Sequence, residues 1–441
     1  MDPILIASLG LIGMFVLIAL HVPIGVAMAT AGVVGFGALG GWKPALSLLA
    51  TEPVSVISSL DLAVIPLFLL MGSFAGISGL SSDIYRLAYA FVGHRRGGLA
   101  LATIGGCAGF GAVCGSSLAT AATMGRVALP EMLNRGYSTT LATGSIAAGG
   151  TLGMLIPPSV VMVIYAFLTE QFVITLFVAA LIPGIIAIGA HFIAINILVA
   201  RNPEIGPAGD RMPWSERLGV LKDSWGVLVL LLAVIGGIYG GVFTVNEAAS
   251  LGAGLAFFFA VARRKMTMEA FWEALKDTAA NTAMIYLIIA GASVFSSFIT
   301  LSKMPDALVT LIADANLHPL MVIFVLMVVY LILGSVFDTI AAMVITLPFV
   351  FPLILDLGYH PIWWGVILVM VIEVGMITPP IGMNVFVLYG VAKTVPLNVI
   401  FRGILPFFYA DIVRIIIIIL FPALALWLPE FLGYNLKISL H

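Results

Sequence analysis

Charge is what this sequence has least of. Only 9% of its 441 residues are Asp, Glu, Lys or Arg, while 62% are hydrophobic; soluble domains carry roughly a quarter charged residues. The mean hydropathy of +1.19 therefore marks a polytopic membrane protein. The formal net charge of -2 gives no basic surface for nucleic acid. Cysteine is nearly absent too. Cys107 and Cys114 lie in one apolar, Gly-rich stretch and read as buried reduced thiols, not as a disulfide or a metal site. His21, His94 and His191 stand apart from any second ligand, so no transition-metal site is expected. Phosphate-binding loop, zinc-helix and nucleophile-elbow motifs are all missing, as is any paired Asp or Ser-Lys constellation. The chain is read as no enzyme, and any transport it performs must draw on an ion gradient. Polar connectors are scarce as well, limited to 201–222 and 263–277, which leaves no sizeable soluble domain. The start, Met1-Asp2-Pro3, lacks a basic segment, so Ile4 to Leu20 reads as a first span and not a cleaved signal.

What is present is an unusual phrase used twice: Gly153-Met154-Leu155-Ile156-Pro157-Pro158, and half a chain later Gly375-Met376-Ile377-Thr378-Pro379-Pro380. A Pro-Pro pair removes two backbone donors and bars the preceding residue from helical geometry, so each phrase should break a membrane helix. Within lipid such a break survives only where protein buries it or where it lines a polar cavity. Simple spans of roughly 20 apolar residues are expected at 4–20, 24–39, 60–80 and 172–199, then at 225–243, 248–262, 282–300 and 404–428. The stretches 97–133 and 319–355 are each about 37 residues long, too long for one span, and small or polar residues interrupt both midway. Half of one reaches only about 27 Å at 1.5 Å per residue. Each is predicted to be a re-entrant helical hairpin, with tips near Gly111 to Ser117 and Gly334 to Thr339.

The expected fold is all-α, with two inverted repeats that each carry a re-entrant hairpin and a broken transmembrane helix. The first repeat covers 1–200, with hairpin 97–133 and broken helix 140–168. A cytoplasmic connector follows at 201–224. The second repeat covers 225–441, with an amphipathic interfacial helix at 266–278, hairpin 319–355 and broken helix 363–391. Five true spans per repeat is an odd number, which turns the second copy upside down. Arg95, Arg96, Arg135, Arg201, Arg211, Arg217, Lys222 and Arg263-Arg264-Lys265 all fall on one side of this topology, which makes that side cytoplasmic. The first hairpin then enters from the cytoplasm and the second from outside, where the amino terminus also lies.

Two tips and two breaks meeting at the midplane would present free carbonyls, amides and small hydroxyls. That chemistry suits a hard monovalent cation and a carboxylate. Ser116, Ser117, Thr339 and Thr378 are the hydroxyls so placed, although Ser and Thr in membrane helices also bond their own preceding carbonyls. Asp338 at the second tip either orients a cation or caps the next helix. Glu373 is a gate, a proton-linked group or a buried structural carboxylate. Arg126 either binds a substrate carboxylate bidentately or snorkels toward the cytoplasmic interface to pair with Glu131 or lipid.

The phrases Gly-Ser-Ser-Leu-Ala-Thr-Ala-Ala-Thr-Met (115–124), Val-Ala-Leu-Pro-Glu-Met (127–132), Gly-Met-Leu-Ile-Pro-Pro-Ser (153–159), Phe-Asp-Thr-Ile-Ala (337–341) and Ile-Thr-Pro-Pro-Ile-Gly-Met-Asn (377–384) together resemble the DctM-type large membrane subunit of tripartite ATP-independent periplasmic (TRAP) transporters. The resemblance spans essentially the whole chain. It implies a sodium-coupled elevator importer of organic acid anions, such as a C4-dicarboxylate or sialic acid, in a bacterial inner membrane. By that resemblance one sodium site falls at Ser116 and Ser117 with backbone of Gly153, Ile156 and Pro158, and a second at Gly334, Thr339, Gly375 and Thr378. Arg126, Asp338 and Asn384 are the candidates for substrate contact. The resemblance also implies two partners, a small four-helix membrane subunit of the DctQ type and a periplasmic substrate-binding protein of the DctP type. A self-sufficient sodium-coupled anion transporter of related fold, needing no binding protein, is the alternative.

Overall fold

The computed structural model describes residues 2–393, 395–434 and 436. Among these the secondary structure is helical, with no strand. The first half runs through α1 (Pro3–Ala19), α2 (Ile24–Gly40), α3 (Trp42–Ser58), α4 (Val64–Ser78) and α5 (Leu80–Val92). It continues with α6 (Gly98–Cys114), α7 (Ser117–Asn134), α8 (Thr139–Leu155), α9 (Val160–Leu168) and α10 (Val173–Arg201). A connector leads through α11 (Trp214–Asp223) to α12 (Trp225–Leu231), which a π-helical turn joins to α13 (Gly237–Tyr239). Then come α14 (Val245–Ala262), α15 (Met268–Leu301), α16 (Met304–Asp314), α17 (Pro319–Val336) and α18 (Thr339–Asp356). The chain closes with α19 (Pro361–Gly375), α20 (Met383–Ala392), α21 (Leu397–Leu420) and α22 (Ala423–Phe431).

Both expected hairpins are present as helix pairs, α6–α7 and α17–α18, broken at Gly115-Ser116 and Phe337-Asp338. Both broken helices are present too, α8–α9 and α19–α20, and α8 and α9 bend by 40°. In an apolar medium the free N–H groups of a first turn need an acceptor, and the chain supplies a side-chain one at three of the four restarts. Ser116 caps α7, Ser159 caps α9 and Asp338 caps α18, each cap being worth about 1 kcal/mol. Gly382 instead opens α20 in the left-handed region, at φ 65°.

Two expectations need revision. The amphipathic stretch 266–278 is not a separate interfacial helix: from its Thr267 cap, α15 continues for 34 residues. No Gly or Pro occurs until Gly291, so nothing stops the helix at the interface. In addition, α3 and α5 lie outside the expected spans, and α5 turns 70° away from α4 at Gly79.

The sides of the molecule can be read from its loop contacts. At one end the connector is laced to the base of the first hairpin. Gly97 N–H donates to Gly206 O (2.9 Å), Ser138 N–H to Ile205 O (2.9 Å) and Gly209 N–H to Gly93 O (3.1 Å). The Tyr137 hydroxyl accepts from Leu99 N–H and donates to Pro207 O. Nearby, Arg263 pairs with Asp83 at 2.6 Å and donates to Ser78 O. The basic loops therefore gather at one end. The base of the second hairpin lies at the other end, where Phe351 and Pro352 share a cavity with Asp61 and Gln171.

Packing divides the helices into two groups. In one, α2 lies on α15 with α3, α4 and α14 around them. A seam of small residues brings α2 and α15 backbone to backbone, because any Cβ on Gly25 or Gly291 would collide with the facing main chain. Close approach of this kind is how membrane helices associate without a hydrophobic driving force. The other group packs α6–α10 with α17–α22, and α18 bridges the two groups by resting on α15 and α16.

Candidate functional site

Each hairpin tip is seated on the broken helix of its own half, and glycine makes the contact possible. A Cβ on Gly111 would strike Gly153 Cα, and one on Gly153 would come within 3.0 Å of the Ser116 carbonyl oxygen. Gly115 turns at φ 60° with the Pro158 carbonyl 3.1 Å from its Cβ position. Ser116, Gly153 and Pro158 are thus brought together as expected. Ile156 is the extended residue ending α8, and its side chain faces Gly184 of α10. In the second half a Cβ on Gly375 would lie 2.8 Å from Gly334 Cα, and Gly382 N–H donates to Ser335 O at 3.1 Å. Gly334 and Gly375 meet, as expected.

The two halves join through the methionines of the repeated phrase. The Thr339 hydroxyl donates to Met376 Sδ at 2.8 Å and lies 3.2 Å from Met154 Sδ, while Ser117 donates to Met376 Sδ at 3.7 Å. Ser117 and Thr339 are each the first residue of a returning arm, and both are fully buried. The Ser117 proton is therefore directed at the other half's break. The two other hydroxyls make local bonds. Thr378 donates to Val374 O at 2.6 Å, and Ser116 accepts from Ala119 N–H at 3.4 Å. Neither bond consumes all the oxygen lone pairs.

The candidates for substrate contact separate. Asp338 accepts from Ala341 N–H at 3.2 Å, which is the capping role. Asn384 donates its backbone N–H to Met376 O at 3.1 Å, and its fully buried side-chain amide has no partner among the described residues. Arg126 is exposed on α7. It does not hold Glu131, which pairs with Arg135 at 2.7 Å; the four-residue spacing suits that pair better than the five between Arg126 and Glu131.

A second buried polar group escaped the sequence reading. Asp411 on α21 bonds His191 of α10 at 3.0 Å and Arg414 at 3.0 Å, and Glu373 of α19 stands in their field. Glu373 and Asp411 are 0% exposed and Arg414 2%. The sequence offered only an isolated histidine and a lone glutamate, because the four residues are spread over three helices far apart in the chain. One signal was available: Asp411 and Arg414 sit three apart inside an apolar helix, which a membrane tolerates only when charges are paired. Beside the other packing group, a cavity of about 970 Å³ opens between α15 and α18, with Ser293, Ser296, Ser297 and Thr300 along one face and Val344 and Leu347 opposite.

Paired hairpins seated on paired helix breaks, with hydroxyls and carbonyls converging deep in an apolar bundle, define a polytopic membrane permease. The comparisons with known proteins assign the family. Residues 11–424 match the model of the tripartite ATP-independent periplasmic transporter, DctM component. The chain is 36% identical to the C4-dicarboxylate TRAP transporter large permease protein DctM of Pseudomonas aeruginosa over 407 residues, covering 90% of this chain and 94% of that one. It is 30% identical to the sialic acid TRAP transporter large permease protein SiaM of Vibrio cholerae over 393 residues, covering 88% and 91%. Among solved structures the Alcanivorax borkumensis YdaH transporter has the same fold, at a TM-score of 0.61 with 15% identity and 90% of each chain covered. This protein belongs to the DctM family of TRAP transporter large permeases.

Proposed function

We propose that the chain is the large membrane subunit of a sodium-coupled, binding-protein-dependent importer of organic acid anions in a bacterial inner membrane. The observation that carries this reading is the junction at Met376, where hydroxyls from both hairpin tips and the breaks of both halves come together in the buried centre. A hard monovalent cation there exchanges its hydration shell for carbonyls and hydroxyls. Ser116, Ser117 and the backbone of Gly153, Ile156 and Pro158 serve one ion; Gly334, Thr339, Gly375 and Thr378 serve the other. The substrate anion lies between them, with the buried, unpartnered Asn384 amide as its donor. The C4-dicarboxylate specificity of the Pseudomonas relative makes that class the first to test. A four-helix small subunit and a periplasmic binding protein complete the system.

The division of the helices favours an elevator. The α2–α15 group is the frame, and the hairpins, broken helices, α10 and α21 are the moving body, held together in part by the buried Asp411 cluster. The cavity beside α15 gives the moving body a polar path on the face away from the basic loops. The deciding experiment is uptake into proteoliposomes holding both membrane subunits, with and without binding protein, under sodium or proton gradients. Sodium-driven uptake that requires the binding protein is expected. Uptake by this chain alone would establish the self-sufficient alternative, and indifference to sodium would remove the ion sites.

A further inference from the structure

We infer that Met376 is a positioning residue shared by both cation sites, its thioether sulfur orienting the hydroxyls of Ser117 and Thr339 so that their oxygens face the ions. The inference rests on the ion-coupled reading above and goes beyond it, since it gives a role to a side chain that ligates nothing. A hydroxyl has one proton and two lone pairs. In a buried site the proton must be directed somewhere, and directed at a cation it would oppose binding. A carbonyl or carboxylate acceptor would take the proton but also compete for the ion. A thioether is a weak, soft acceptor, whereas a hard cation takes oxygen ligands, so sulfur accepts the proton without holding the ion.

The geometry is unequal in a way that can be tested. Met376 Sδ is the one acceptor for Ser117 among the described residues, at 3.7 Å, while Thr339 reaches Met376 at 2.8 Å and Met154 at 3.2 Å. All four side chains are buried, Met154 being the most exposed at 7%. Losing the Met376 sulfur therefore releases Ser117 completely and Thr339 in part, touching both sites. Losing the Met154 sulfur touches only Thr339. A residue that merely filled space would not produce this difference.

The test is the sodium dependence of substrate uptake by the reconstituted complex carrying Met376→Leu or Met154→Leu, changes that keep volume and remove the acceptor. Met376→Leu is expected to raise half-saturating sodium by roughly threefold to tenfold, the scale of one hydrogen bond, and to lower the Hill coefficient for sodium toward one. The substrate KM at saturating sodium should not change. Met154→Leu should give a smaller shift with the Hill coefficient kept. If the leucine variant does not assemble, Met376→Ile makes the same comparison. Wild-type sodium dependence in Met376→Leu, or equal shifts in both variants with the Hill coefficient unchanged, overturns the inference and leaves the sodium reading standing. A wild-type complex indifferent to sodium overturns both.

Discussion

Replacing Asp411 with asparagine keeps the shape of the buried cluster and removes the charge at its centre. In the native protein the carboxylate is shared by His191 and Arg414, both at 3.0 Å, and no atom of the three helices involved lets water reach it, since Asp411 and His191 are 0% exposed and Arg414 2%. The amide can still bond His191, but Arg414 then loses the carboxylate it is paired with. Breaking a buried pair from one side costs about 3–5 kcal/mol, because the partner charge stays buried. For 441 residues, an unfolding entropy of about 2.1 cal/mol/K per residue makes each kcal/mol about 1 °C, so a loss of about 3–5 °C in the melting temperature follows. Unfolding of the detergent-solubilised protein, followed by its tryptophan fluorescence, measures it. The double replacement Asp411→Leu with Arg414→Leu removes both charges and should recover most of the loss, as apolar replacements of buried pairs do. If Asp411→Asn melts with the wild type, or if the double variant melts lower still, the cluster does not hold α10 and α21 together as argued.

Other consequences are as concrete. Gly375→Ala forces a methyl against Gly334 Cα 2.8 Å away; it should destabilise by about 1–3 kcal/mol and abolish uptake, and a fully active alanine variant would contradict the seating of the second tip. Thr378→Val and Ser116→Ala should each weaken apparent sodium affinity without loss of assembly on size-exclusion chromatography, whereas unchanged sodium titrations in both would void the ligand assignment. Tyr137→Phe removes the bonds to Leu99 and Pro207, costing about 1–3 kcal/mol, and proteolysis of the connector near Gly209 should quicken measurably.

What was legible in the sequence was whatever left a local mark. Pro-Pro pairs announce helix breaks, and small residues in the middle of over-long apolar stretches announce hairpin tips; the real tips fall at Gly115-Ser116 and Phe337-Asp338, inside the expected windows. Basic residues concentrate in a few loops, and those loops gather at one end of the molecule. The cross-half contacts left no such mark. Met376 looks like any apolar residue of a repeated phrase until folding sets Ser117, 259 positions away, beside its sulfur. His191 and Asp411 are 220 positions apart, and only Asp411, with Arg414 three residues on, has a partner by helical spacing. Ser117 also shows the limit of reading repeats in isolation: nothing within the first repeat tells that the first turn of α7 sets its hydroxyl beside a sulfur of the second.

The length of α15 ties this protein to the thickness of its membrane. From Thr278 to Leu301 the helix is largely apolar, and those residues rise about 36 Å, more than a hydrocarbon layer of about 30 Å. A rod of that length fits by leaning from the normal, at an angle set by its packing against neighbouring helices. Because α2 is locked to it along the glycine seam, the pair must lean as one body. A thinner bilayer increases the lean and a thicker one reduces it, so the lipid acyl chain length becomes a control on the angle of the surface along which the hairpins would travel.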